Sequence, residues 1–187
     1  NVSFRTACGE VTSFPWTEDF ENGVDCWTMV DADGDGYGWV AGSAVGGIYL
    51  DGGDLTGSGH NSSADMLVSG SYSNVSYEAL TPDNWAISPA LDLTQMNENE
   101  PLKLTYFVKA SDASYSEEHY KVCVSTTTSA ISSFTTTLID EILEEGNNEW
   151  QERNIDLSSY SGQRIYLAFV HYDVTDQFLI LIDDITV

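Results

Sequence analysis

The chain has 187 residues, with 30 Asp plus Glu against 6 Lys plus Arg and a formal charge of −24 at pH 7. Six cations (Arg5, Lys103, Lys109, Lys121, Arg153 and Arg164) make no basic patch for a phosphate backbone or an anionic membrane surface, which excludes nucleic acid as a partner. A hydrophobic content of 42% and five tryptophans are too apolar for a disordered polyanion, and the length suits one domain, residues 1–187, with its own core.

The opening NVSFRTACGE has neither a basic start nor an apolar stretch, so the chain reads as a mature or excised piece of a larger protein. Of the three cysteines, Cys8 and Cys26 are the expected bridge, because Cys123 sits in the alternating YKVCVSTT as a small buried side chain. Short segments of alternating apolar and polar residues then follow one another between Gly, Asn, Asp and Ser clusters. FPWTEDFE (14–21), CWTMV (26–30), YGWVAG (37–42), DMLVSGSYS (65–73), NWAIS (84–88), LKLTYFVKA (102–110), YKVCVSTT (120–127), EWQERNIDL (149–157), RIYLAFVHY (164–172) and FLILIDDITV (178–187) all read as strands. Without interleaved helices, these ten predict an all-β, antiparallel, two-sheet jelly-roll β-sandwich.

Two stretches break the rhythm. In 132–147, Phe134, Leu138, Ile139, Ile142 and Leu143 fall near helical spacing before Gly146, while the threonines favour a strand, so both readings stay open. The glycine-rich 42–64 reads as a long ordered excursion over the surface, a kind of loop that is commonly functional. The longest apolar run near the end, FLILI, is far short of a bilayer span, so no membrane insertion is expected.

Asp31, Asp33, Asp35 and Gly36 of DADGDGYGW occupy what would be positions 1, 3, 5 and 6 of a twelve-residue calcium loop, where carboxylates supply oxygens and glycine permits the bend. Position 12 is Gly42 instead of Glu and the flanks read as strands, which excludes a helix-loop-helix hand. The coordination logic does not need one. Carboxylates within about 5 Å of one another repel unless a cation lies among them, and calcium, taking about 6–8 oxygens, removes that penalty. A solvated Asp-Gly turn is the alternative. A second acidic group is split between Glu18, Asp19 and Glu21 near the start and Asp183 and Asp184 in the last strand. Pairing of the terminal strands would bring these five together at one rim.

Signatures of catalysis are missing from the sequence: it has no G-x-S-x-G, no phosphate loop and no H-E-x-x-H. His60, His119 and His171 lie 59 and 52 residues apart and read as structural hydrogen-bonders. The pattern gives no positive case for an enzyme. Trp27, Trp39, Trp85, Phe107, Tyr166 and Phe169 alternate within strands and are expected between the sheets, whereas Tyr72, Tyr77, Tyr115, Tyr160 and Tyr172 lie nearer loops and are available for recognition.

Taken in order, EDFENG, CWTMVDADGDGYGW, GGDLTGSGHNSSA, LTPDNWAISPALDL, DASYSEEHYKVCVSTT, FTTTLIDEIL, LAFVHYDVTDQF and LIDDITV resemble the cleaved-adhesin domains found in the haemagglutinin-adhesin regions of gingipain proteases and related haemagglutinins of surface-living anaerobic bacteria. The resemblance implies a jelly roll holding structural calcium and a non-catalytic adhesin acting on haemoglobin, red-cell surfaces and host matrix proteins. Metal is implied near Glu18, Asp19 and Glu21, in the Asp31 to Asp35 loop, and near Asp183 and Asp184. It also makes strand and turn the easier reading of 132–147. The expectation is an extracellular or cell-surface binding module with one or two calcium ions and a host protein or cell-surface glycan as partner. A carbohydrate-binding module attached to a secreted hydrolase is the alternative.

Overall fold

The computed structural model describes residues 8–97 and 101–187. In chain order its strands are β1 (Thr17–Glu18), β2 (Thr28–Asp31), β3 (Val40–Ala41), β4 (Leu67–Gly70), β5 (Tyr72–Ser73), β6 (Glu78–Ala79) and β7 (Asp83–Ile87), then β8 (Leu91–Asp92), β9 (Lys103–Ala110), β10 (His119–Ser125), β11 (Thr136–Ile142), β12 (Gln151–Asp156), β13 (Arg164–Tyr172) and β14 (Leu179–Thr186). One antiparallel sheet has the order β12-β9-β14-β4-β3, with β1 added beside β14. The other runs β11-β10-β13-β7-β2, with β8 beside β13. The strands β5 and β6 form a separate hairpin. This is the jelly-roll sandwich that the alternating pattern predicts.

Each of the ten predicted segments contains a strand. The stretch 132–147 is resolved as a 3-10 turn at Ile131–Ser133 followed by edge strand β11, paired with β10. Its Thr136 and Thr137 suit a pleated edge, and Ile142, which the helical spacing would have buried, lies 59% exposed.

Inward-facing alternates build the main core: Leu104, Tyr106 and Val108 of β9, Tyr120, Val122 and Val124 of β10, Ile165, Leu167 and Phe169 of β13, and Ile180 and Ile182 of β14. Trp27, Trp39 and Phe169 belong to it as expected. Trp85, Tyr166 and Phe107 do not. Trp85 lies in an outer-face cluster with Ile87, Cys123, Ala168 and Val170, capped by Phe134, and Tyr166 packs against that cluster. Phe107 is half-buried on the outside of β9, stacked on His60 at 3.5 Å between ring centres. Alternation separates the two faces of a strand but does not say which is inward, and here both faces are partly covered. The excursion 42–64 accounts for much of that covering: Val45 and Tyr49 pack with Val68, Leu179 and Leu181 on the outside of the other sheet. The apolar run FLILI is continuous for this reason, with Ile180 and Ile182 facing the sandwich interior and Leu179 and Leu181 the excursion.

The Cys8–Cys26 bridge is present, with Cα atoms 5.2 Å apart, and Cys123 is buried as a free thiol. Between the sheets, a chain of polar groups is sealed from solvent. His171 bonds Glu118 through Nε2 at 2.9 Å and Ser69 through Nδ1 at 2.9 Å, Asn84 donates to Ser69 Oγ at 3.1 Å, and Ser71 donates to Glu118 at 3.1 Å. These are the residue types of a nucleophile, base and acid. His171, Glu118 and Ser69 are nevertheless all 0% exposed, and the chain joins β4 of one sheet to β13 of the other beneath the ring of Trp39. Removing one partner strands the others in a low-dielectric interior. The substitution Glu118→Ala should therefore destabilise the fold by about 3–5 kcal/mol in denaturant unfolding, whereas Glu117→Ala, at an exposed neighbour, should stay within about 0.5 kcal/mol of the parent. Equal midpoints for the two variants would contradict this role.

Candidate metal-binding site

The loop that follows β2 is shaped by its own acids. Asp31 accepts the backbone N–H groups of Gly34 at 2.7 Å and Gly36 at 2.8 Å, and Asp35 accepts that of Tyr37 at 2.8 Å. Gly34 and Gly36 sit at φ +76° and +89°, conformations that cost a side-chain-bearing residue energy, which explains the glycines of DADGDG. The folded loop brings one carboxylate oxygen from each of Asp31, Asp33 and Asp35 within 4.8 Å of the others. Burial of the Asp33 carboxyl, its contact with Asp31 and the nearby charge of Asp35 push its pKa up to about 6. Burial also opposes the charge on Asp31, but the N–H groups donated to it hold its pKa below the ordinary value. Three negative charges therefore do not sit comfortably here alone, and the donor set is all oxygen, as a hard divalent cation requires.

The second acidic group is arranged differently from the expectation. Terminal strands do pair, Glu18 opposite Ile185 and Thr17 opposite Thr186. The five carboxylates nonetheless go to separate tasks. Glu18 accepts the N–H of Phe20 and the indole of Trp27, each at 3.1 Å, and Asp19 accepts the N–H of Glu21 at 3.2 Å. Asp184 bonds the His60 ring at 2.7 Å. Glu21 and Asp183, like Asp184, reach the end of the glycine-rich excursion, where they hold its backbone and the Ser63 hydroxyl. Glu21 accepts the N–H groups of Ala64 at 2.6 Å and Asp65 at 3.0 Å; Asp183 accepts the N–H of His60 at 2.8 Å and the hydroxyl of Ser63 at 2.7 Å. Among the described residues, the group of three or more acidic, His or Cys side chains placed to hold a metal is Asp31, Asp33 and Asp35, so the five do not converge as one cluster. Alternation is the reason: neighbouring acids on a strand point to opposite faces.

Asp183 is fully buried, and that burial pushes its pKa up to about 6. Around it the excursion gathers oxygens that the sequence did not single out. A Cβ placed on Gly59 would lie 1.9 Å from Ser63 Oγ, 2.7 Å from Asp183 Oδ2 and 2.8 Å from the Asp65 carbonyl oxygen. Gly59 thus marks a cradle of three oxygens from three residues. Its signal in the sequence was only the density of Gly and Ser in GSGHNSSAD.

The model of the Cleaved Adhesin Domain matches residues 13–187. The chain belongs to the Cleaved Adhesin Domain family. It is 36% identical over 184 residues to Gingipain R1 and 34% identical over 186 residues to Hemagglutinin A, both of Porphyromonas gingivalis. The matched region covers 91% of this chain but 10% and 6% of those relatives, which are far longer proteins. Among solved structures, it superposes on the K1 cleaved adhesin domain of Lys-gingipain from the same organism with a TM-score of 0.75, at 36% identity and covering 93% of this chain and 97% of that one. The K3 domain of the same protein gives 0.76 at 34% identity, covering 91% and 96%. The matched span, residues 13–187, contains both the Asp31–Asp35 loop and Gly59 of this chain.

Filling the cradle should be costly in a way that ordinary loop changes are not. Gly59→Ala should lower unfolding stability by about 1–3 kcal/mol, the range for overpacking a close-fitted site, while Gly9→Ala, which meets nothing within 4 Å, should leave the midpoint unchanged. A Gly59→Ala variant as stable as the parent would show that the three oxygens are not held in place.

Proposed function

We propose that this cleaved adhesin domain is a non-catalytic binding module of a secreted or surface-displayed bacterial protein, stabilised by calcium and presenting loops to a host protein or cell-surface ligand. The observation that carries the calcium reading is the packing of Asp31, Asp33 and Asp35 within 4.8 Å, with Asp33 pushed up to about 6. Asp31 keeps lone pairs beyond those used by Gly34 and Gly36, and Asp33 and Asp35 add further oxygens, so the three together would hold one ion. Glu21, Asp183, Ser63 and the Asp65 carbonyl would supply a second. Bound calcium contributes positive charge that relieves the repulsion among these carboxylates.

What the chain's own residues do is transmit that order outward. Asp35 fixes the backbone of Tyr37, whose ring packs on Tyr49 at 5.7 Å and whose hydroxyl donates to Ser76 at 3.1 Å in the turn between β5 and β6. On that hairpin, Tyr77 is 70% exposed. A rigid acidic loop therefore supports a turn carrying an exposed aromatic ring, the arrangement of a recognition surface. The adhesin role is supported by kinship with Hemagglutinin A and with the Lys-gingipain adhesin domains, and those relatives support a secreted or surface location. The sealing of Ser69, His171 and Glu118 supports a structural rather than catalytic use of that trio.

Thermal unfolding in millimolar calcium and in excess chelator tests the ion. Calcium at about a hundredfold above its dissociation constant adds about 2.7 kcal/mol, which for a domain of this size raises Tm by about 5–10 °C. The Asp33→Ala, Asp35→Ala double variant should lose most of that rise. Coincident scans for the parent protein would contradict the calcium reading. For the binding role, capture from host proteins and from immobilised glycans, with and without calcium, should retain a protein partner; retention on polysaccharide alone would point to the carbohydrate-binding alternative.

A further inference from the structure

Beside the β5–β6 hairpin lies a cavity of about 380 Å³. Tyr72 and Tyr115 give it aromatic walls, Asp112 and Asp176 give it two carboxylates, and Gln177 adds an amide. Among the described residues, neither lysine nor arginine lines it. Its walls are tied down by main-chain bonds. Ser71 donates to the Phe178 carbonyl at 3.0 Å and accepts from Asp176 N–H at 3.2 Å, Asn74 donates to the Tyr49 carbonyl at 2.9 Å, and Ser114 N–H bonds Asp112 at 2.7 Å. Gln177 is held by the N–H of Glu117 at 3.1 Å, which sets another acid beside the mouth. Asp176 itself is at φ +57°, a left-handed conformation that Asp and Asn tolerate better than other side chains. Tyr115 is 52% exposed, with its ring open to an incoming group.

The cavity is thus a pre-formed recess, the size of a single side chain or small ligand, whose walls combine negative charge with π faces. A neutral ligand entering it would desolvate the carboxylates without compensating their charge, which is costly. A planar cation resolves both requirements: it forms charge-assisted hydrogen bonds to carboxylate oxygens and stacks on tyrosine. The net charge of −24 further favours a basic partner through long-range attraction. We propose that this cavity receives the guanidinium of an arginine side chain presented by the partner protein. The assignment rests on the binding role proposed above for the nature of the partner, and on the cavity alone for its chemistry.

NMR titration of the intact domain at physiological salt tests it, using Nα-acetyl-arginine amide against its neutral isostere Nα-acetyl-citrulline amide. Arginine should give saturable shifts confined to the amides of 112–115 and 176–178 and to the Tyr115 ring, and citrulline should bind at least about tenfold more weakly. Asp176→Asn, which preserves the tolerated backbone conformation, and Tyr115→Ala, at an exposed position, should each weaken arginine by about fivefold or more, the size of a lost cation–π or charge-assisted contact. Both variants should keep the parent spectrum elsewhere. Absence of saturable shifts at the cavity, an equal response to citrulline, or saturation by a neutral oligosaccharide instead would overturn the proposal. Saturation by arginine with unchanged melting in chelator would support it while removing the calcium reading, so the two fail separately.

Discussion

Like-charge repulsion is the constraint around which this molecule is organised. Thirty acids share a 187-residue chain with six permanent cations, so most carboxylates must be stabilised by something other than an ion pair. The common solution is local: an aspartate accepts the backbone N–H two residues on, as Asp19, Asp35, Asp54, Asp92, Asp112 and Asp156 all do. Each such turn satisfies an otherwise free N–H and stabilises the charged carboxylate. For Asp54 the N–H and then the hydroxyl of Thr56 hold the pKa below its ordinary value, and for Asp92 and Asp156 the hydroxyl and N–H of Thr94 and Ser158 do the same. Two aspartates go the other way. Asp33 and Asp183 are both pushed up to about 6, one by burial and crowding within its loop and the other by complete enclosure. They lie in the two places where oxygens are gathered, which is why a cation is proposed at these positions and not along the turns.

From that electrostatic arrangement follows the division of labour in the fold. The sandwich core and the sealed His171 network hold the two sheets together without help from the acids at the surface. The excursion 42–64 covers an outer face with Val45 and Tyr49 and, at its other end, delivers Gly59, Ser63 and Asp65 to Asp183. The Asp31–Asp35 loop stands next to Tyr37 and, through it, to the hairpin that borders the tyrosine-lined cavity. The acidic loop, the hairpin and the cavity are in this way connected by a short path of named contacts.

Much of the architecture was legible because strand signals are local. Alternation over segments such as LKLTYFVKA and RIYLAFVHY marks the strand and separates its two faces, and the pairing of β1 with β14 follows from the terminal strands meeting. The grouping of Asp31, Asp33 and Asp35 was legible for the same reason, since the three lie within five residues of one another. The inward set of aromatics was not, because Trp85, Phe107 and Tyr166 are covered by loops from distant parts of the chain instead of by the opposing sheet. Nor was the partnership of Glu21 and Asp183 with Gly59, Ser63 and Asp65, which depends on a register across more than a hundred residues and partly on backbone carbonyls that no side-chain motif records.

The most direct measurement is an anomalous-scattering map from crystals grown in calcium. Strong density among the oxygens of Asp31, Asp33 and Asp35 is the predicted result. A map with those oxygens well ordered and no peak beside them would contradict it, leaving the loop's own N–H groups and solvent to stabilise the carboxylates.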